Sequence, residues 1–114
     1  MMNKVYVAQE AVYRDRDTGM MVPRFDVTPA AVYGDIEFLT PAKTTALLPG
    51  PTVQTLKHKL RNFSDEDYIL PAGDPTIIAM VCMVAAMMNR GRVKMLKWDR
   101  LTHAYITINI DTGA

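Results

Sequence analysis

The chain has 114 residues, enough for one hydrophobic core and one domain but not two. Apolar residues make up 49%, which excludes a largely disordered chain, and 13 basic against 12 acidic residues leave a net charge of +1, too little to draw the whole surface to nucleic acid or an anionic membrane. The single cysteine, Cys82, excludes an intramolecular disulfide and a cysteine-built zinc site, and it suits a reducing compartment.

Met1 to Tyr6 lacks the apolar run of a signal peptide. Val5-Tyr6-Val7 predicts a first strand. Loose alternation through Ala11-Val12-Tyr13, a polar run Arg14 to Gly19, and then Met20-Met21-Val22 predict a β-hairpin protruding around residues 11–25, with its tip near Asp17–Gly19. Thr28-Pro29 opens a single helical turn that Gly34 ends. Asp35 to Leu39 alternates polar and apolar, a second strand. Residues 41–51, with three prolines and a glycine, predict a surface loop, and Thr52 is expected to cap a helix in which Val53, Leu56, Leu60 and Phe63 share one face.

Residues 67–73 contain the apolar run Tyr68-Ile69-Leu70, the pattern of a central strand covered on both sides. Asp74-Pro75 then caps a helix running to Met88, with Asn89 or Gly91 free to end it in a left-handed conformation. Residues 92–98 return as a strand, parallel to 67–73 if both lie in one sheet. Ile106, Ile108 and Ile110 share a face of a last strand, which forms a hairpin with 92–98. The expected fold is α/β, with α+β as the alternative: a single small domain, a mixed sheet of about four to five strands, two main helices and a C-terminal β-hairpin.

The helix after Asp74 carries no polar stripe. Every residue from Ile77 to Met88 is apolar or cysteine. At 12 residues the run is shorter than the roughly 20 needed to span a bilayer. It fits either burial between the sheet and the N-terminal hairpin or an interface with a second copy or a host protein. Ile77, Met80, Val81, Met83, Val84, Met87 and Met88 are the candidate interface residues. Gly73, Asp74 and Thr76 stand past the carboxyl end of a strand, where open α/β sheets bind ligands, but Asp74 competes with any anion for the helix amides and no glycine-rich phosphate loop is present. Arg90, Arg92 and Lys94, with Trp98 and Tyr105 nearby, are a candidate nucleic-acid patch, although Lys97 falls on the opposite strand face. His58 and His103 neighbour no nucleophile, and Cys82 sits mid-helix among apolar residues. No catalytic constellation, metal-ligand set or cofactor motif emerges.

Several segments together are similar to a known group. They are Val5 to Glu10, Asp26-Val27-Thr28-Pro29-Ala30-Ala31 leading to Tyr33-Gly34-Asp35, Ser64 to Leu70 with Gly73-Asp74-Pro75, Asn89 to Arg92, and Leu96-Lys97-Trp98-Asp99-Arg100, closed by Tyr105 and Asp111. On these the chain resembles small proteins encoded by tailed, mainly marine, bacteriophages. The likeness implies a phage origin and expression in the cytoplasm of the infected host, and it carries no reaction, cofactor or catalytic residue with it. The methionines of the apolar helix and the Arg14–Val22 insertion depart from the group's pattern. The expected function is a non-enzymatic phage accessory protein acting through protein–protein binding, as a homodimer or on a host factor. Nucleotide or small-ligand binding at residues 73–76 is the first alternative, and nucleic-acid binding along residues 90–100 the second.

Overall fold

The computed structural model describes residues 3–114. Strands β1 (Lys4–Val7), β4 (Asp35–Phe38), β5 (Tyr68–Leu70), β6 (Arg92–Asp99) and β7 (Ala104–Asp111) form one sheet in the order β4-β1-β5-β6-β7. All pairs are parallel except β6–β7, the expected C-terminal hairpin. Strands β2 (Val12–Arg14) and β3 (Met21–Pro23) pair antiparallel in the predicted N-terminal hairpin, as a separate two-stranded sheet.

Counted along the main sheet alone, this order is 2-1-3-4-5, a doubly wound arrangement. The chain moves one way from β1 to β4 and the other way from β4 to β5 to β6. Right-handed crossovers therefore place the first connection on one face and the next two on the other. Helices α1 (Pro49–Lys59) and α2 (Pro75–Met88) share a face with Tyr6, Ala8, Ile69 and Val93. The opposite face, with Val5, Val7, Leu70 and Leu96, is covered by Ala30 of a 3₁₀ turn (Thr28–Val32) and by the flanking Val27 and Tyr33. β5 lies at the centre, covered on both sides as its uninterrupted apolar run requires.

Three details differ from the sequence expectations. α1 begins at Pro49, not after Thr52; proline and glycine in a first turn lose no intrahelical donor that the helix needs, and Thr52 Oγ1 donates back to Leu48 O at 3.4 Å instead of capping. The 3₁₀ turn likewise has Val27 at its start with no side-chain cap, while Asp26 accepts from Thr28 N at 2.9 Å. At the end of α2, Gly91 (φ 79°), one of the two residues expected there, is left-handed, and Arg90 (φ 57°) joins it in place of Asn89.

Asp67 ties the sheet to the turn before β5. It is 7% exposed, and its carboxylate accepts from Lys4 N (3.0 Å), Ser64 N (3.0 Å) and Ser64 Oγ (3.3 Å). Replacing it leaves two backbone donors without a partner at a buried site. Asp67→Ala is expected to lower unfolding free energy by about 1–3 kcal/mol, measured by urea denaturation.

Candidate functional site

A doubly wound sheet offers a crevice at the carboxyl ends of the strands where the winding reverses, here between β1 and β5. The chain leaves β1 directly through it: Ala8 N donates to Leu70 O, Gln9 N to Ala72 O and Glu10 N to Thr40 O. This routing swings the side chain of Gln9 into the crevice, where it is 5% exposed. Its Nε2 donates to the carbonyls of Pro41, Ala42 and Thr44 at 3.0–3.3 Å, and its Oε1 accepts from Asp74 N at 2.7 Å. The place that holds a ligand in many such sheets is thus filled by an amide of the protein itself.

The three candidate ligand residues surround this plug. Gly73 adopts φ 114°, and a Cβ there would overlap the Gln9 side chain. The amide of Asp74 is bonded to Gln9, and Asp74 Oδ1 accepts from Thr76 N at 2.7 Å, the predicted cap. Beside the plug lies an open groove of about 910 Å³, bounded by Arg24, Phe25, Ala72, Trp98, Arg100 and Tyr105 among others. Trp98 packs edge-on against Tyr105 with ring centroids 5.0 Å apart, yet stays 40% exposed.

α2 divides its apolar surface in two. Ile77, Met80, Val81 and Val84 are buried in the chain's own core, against the sheet and α1, and the N-terminal hairpin takes no part in that core. Met88 is partly buried against the same cluster. Met83 and Met87, with Ala79 one turn before them, form the outer face and are 61% and 67% exposed for the two methionines. The all-apolar helix therefore presents no polar stripe to solvent where a surface helix ordinarily does.

The basic candidates are partly engaged within the fold. Arg92 grips Asp65 with two bonds, Nε at 3.1 Å and a terminal nitrogen at 3.0 Å, and this pairing holds the Asp65 carboxyl below its ordinary value. Lys94 Nζ lies 4.4 Å from the centroid of the Tyr68 ring. Arg90 is exposed at the end of α2.

Residues 3–112 match the model of the Phage Pam3 gp32-like protein family. The chain belongs to that family. No curated protein and no solved structure matches it. The expected likeness to small phage proteins is thereby upheld, and the match covers nearly the whole chain.

Among the described residues of this family member, no group of three or more His, Cys, Asp or Glu side chains could hold a metal ion. No described helix is long and apolar enough to cross a membrane. Cys82 is half-buried on α2, and burial pushes its thiol above the ordinary 9.0, away from the thiolate. His58 and His103 are both exposed, His103 at φ 53° in the β6–β7 turn. Gln9 is the residue that sequence reasoning passed over. Its one local sign is position: a polar side chain directly after the buried run Val5 to Ala8.

Removing the plug exposes how much it supports. Gln9→Ala leaves the Asp74 amide and three carbonyls without their partner, and is expected to lower stability by about 1–3 kcal/mol. Gly73→Ala, which adds both strain and overlap at the same point, is expected to cost about as much. The double variant is expected to cost somewhat less than the sum, because losing the Gln9 Cγ and carboxamide removes part of the overlap while the Cβ that alanine keeps, and the strain at positive φ, remain. Thermal and urea denaturation of the three variants check both statements.

Proposed function

We propose that this phage protein is a non-enzymatic accessory protein of the infected bacterium's cytoplasm that works by binding another protein through the outer face of α2. One observation carries the reading: a helix without a polar residue from Ile77 to Met88 keeps Met83 and Met87 mostly exposed after its own core is complete. Unbranched, polarisable methionine side chains adapt to a partner surface at little conformational cost, and an apolar face free of charge avoids desolvating ions on binding. The plugged crevice supports the same reading, since the sheet's usual ligand position is taken up by Gln9.

The test is affinity capture from lysate of infected host cells, comparing the native chain with Met83→Glu/Met87→Glu. Both substitutions lie on the solvent face and are expected to change stability by less than about 0.5 kcal/mol. A partner retained by the native chain and lost with the double variant supports the proposal. A partner retained equally by both removes α2 from it.

A second reading, a small planar ligand at the carboxyl end of the sheet, has one observation in its favour: Trp98 stays 40% exposed in the groove beside Arg24 and Arg100. Trp98 is the single tryptophan, so its emission reports this groove alone. Titration with mononucleotides is expected to quench it if the groove takes such a ligand by stacking. Emission that stays flat throughout the titration removes this reading.

A further inference from the structure

The strand β7 is eight residues long, closes one side of the sheet and has no neighbouring strand on its outer edge among the described residues. The ladder with β6 settles which of its backbone groups are free. Thr112 N donates to Gly91 O at 2.9 Å at the end of that ladder. In an antiparallel pair the bonded positions alternate, so residues 110, 108 and 106 also bond to β6 while Thr107 and Asn109 turn their amides and carbonyls outward. The Tyr105 carbonyl also points outward, but it accepts from the Tyr33 hydroxyl at 2.9 Å, so the open stretch starts at Ile106.

This open stretch is unguarded. From Ala104 to Asp111 there is no lysine, arginine or proline, the residues that blunt natural sheet edges, and the only charge is the terminal Asp111. The opposite edge differs: β4 carries Asp35 and Glu37. One face of β7 is also uncovered. Ile110, Ile108 and Ile106 stand opposite Val93, Met95 and Lys97, on the helix side of the sheet. α2 packs over β6 and leaves these three isoleucines about 40% exposed each.

The pattern Ile106-Thr107-Ile108-Asn109-Ile110 reads in the same way from either end around Ile108, with an outward-bonding polar residue on each side. We infer that a second copy of this chain pairs with β7 antiparallel, on a two-fold axis through Ile108. In that register Thr107 faces Asn109 of the other copy, and each such pair exchanges two backbone hydrogen bonds, four in all. Ile106 faces Ile110, Ile108 faces its own equivalent, and the six isoleucines form one apolar strip. Asp111 falls opposite Tyr105, so no like charges meet. A one-residue slip of the pairing, which puts the axis between two residues, would set the isoleucines of one copy against the opposite face of the other. An axis through Thr107 or Asn109 keeps the face but leaves one isoleucine of each copy opposite Ala104 or Thr112, so the axis at Ile108 alone pairs every isoleucine with another. The product is a ten-stranded sheet with both helix layers on one side.

Sedimentation velocity at micromolar concentration is expected to show a dimer. Thr107→Pro removes an outward amide that the isolated chain does not use, and is expected to weaken the dimer at least about tenfold while keeping the circular dichroism of the monomer. At the two-fold, Ile108 and its equivalent form a non-bonded pair with Cα atoms about 4.5 Å apart, within the range of about 4.4–6.8 Å that a disulfide spans. Ile108→Cys in a Cys82→Ser chain is therefore expected to oxidise to a covalent dimer far faster than the exposed Thr55→Cys on α1. If Thr107→Pro disturbs the fold, the contrast between the two cysteine variants decides alone. A monomeric native chain, a dimer indifferent to Thr107→Pro with the fold intact, or equal oxidation at positions 108 and 55 would overturn the inference.

Discussion

The amide of Gln9 joins three parts of the chain at one point: the exit of β1, the loop after β4 and the start of α2. Its hydrogen bonds span 32 to 65 residues of sequence. Each of the groups it meets is a backbone group at the end of an element, where the regular ladders of sheet and helix stop supplying partners. A parallel sheet has such loose ends along its whole carboxyl edge. Many sheets of this winding meet the need with a ligand's polar atoms. Here a carboxamide, able to donate and accept at once, does so from within. Gly73 follows from the same requirement, because the turn into α2 passes so close to Gln9 that no side chain fits between them.

With the crevice closed, the chemistry of the surface moves to the layers of the fold. Two crossovers lie on one face and one short 3₁₀ connection on the other. The two helices must then cover five strands, and they cover those nearest their own connections. α1 and α2 span the sheet as far as β6, so an eight-residue last strand extends beyond the helical layer. The exposed isoleucines of β7 are the direct result of this count. The exposed methionines of α2 are different: they lie on the side of the helix turned away from the sheet, where packing makes no demand, and the core would be unchanged by polar residues there.

The parts of the fold that were legible in the sequence are those set by neighbours a few residues apart. Asp74-Pro75 marked the start of α2, and Asp74 caps it through Thr76, two residues on. Alternation at Ile106, Ile108 and Ile110 gave the face of β7, and the polar run before Gly19 gave the hairpin. The start of α1 was misplaced by four residues, with the cap at Thr52 instead of Leu48, because Pro49-Gly50-Pro51 reads as a loop, although prolines are at home in a first helical turn. The strand order was not legible, since β1 pairs with residues 31 and 63 positions away (Lys4 with Asp35, Val5 with Tyr68) and no local pattern records that choice. The role of Gln9 was hidden for the same reason. The likeness to phage proteins, by contrast, showed in scattered short segments, all of which lie within the matched residues 3–112.

The position of β1 also bears on how the molecule comes into being. Of the strands of this sheet β1 is made before the others, yet it is flanked by β4 and β5, so its second ladder cannot close before residue 70 has been made. Until then Val5, Val7 and the ends that Gln9 will bind have no complete environment. The β6–β7 hairpin, by contrast, needs only the four-residue turn between its strands. Long-range pairing of this sort carries the larger loop-closure cost. The chain thus assembles against its own direction of synthesis, with its earliest segment waiting in the middle of the sheet for strands still to come.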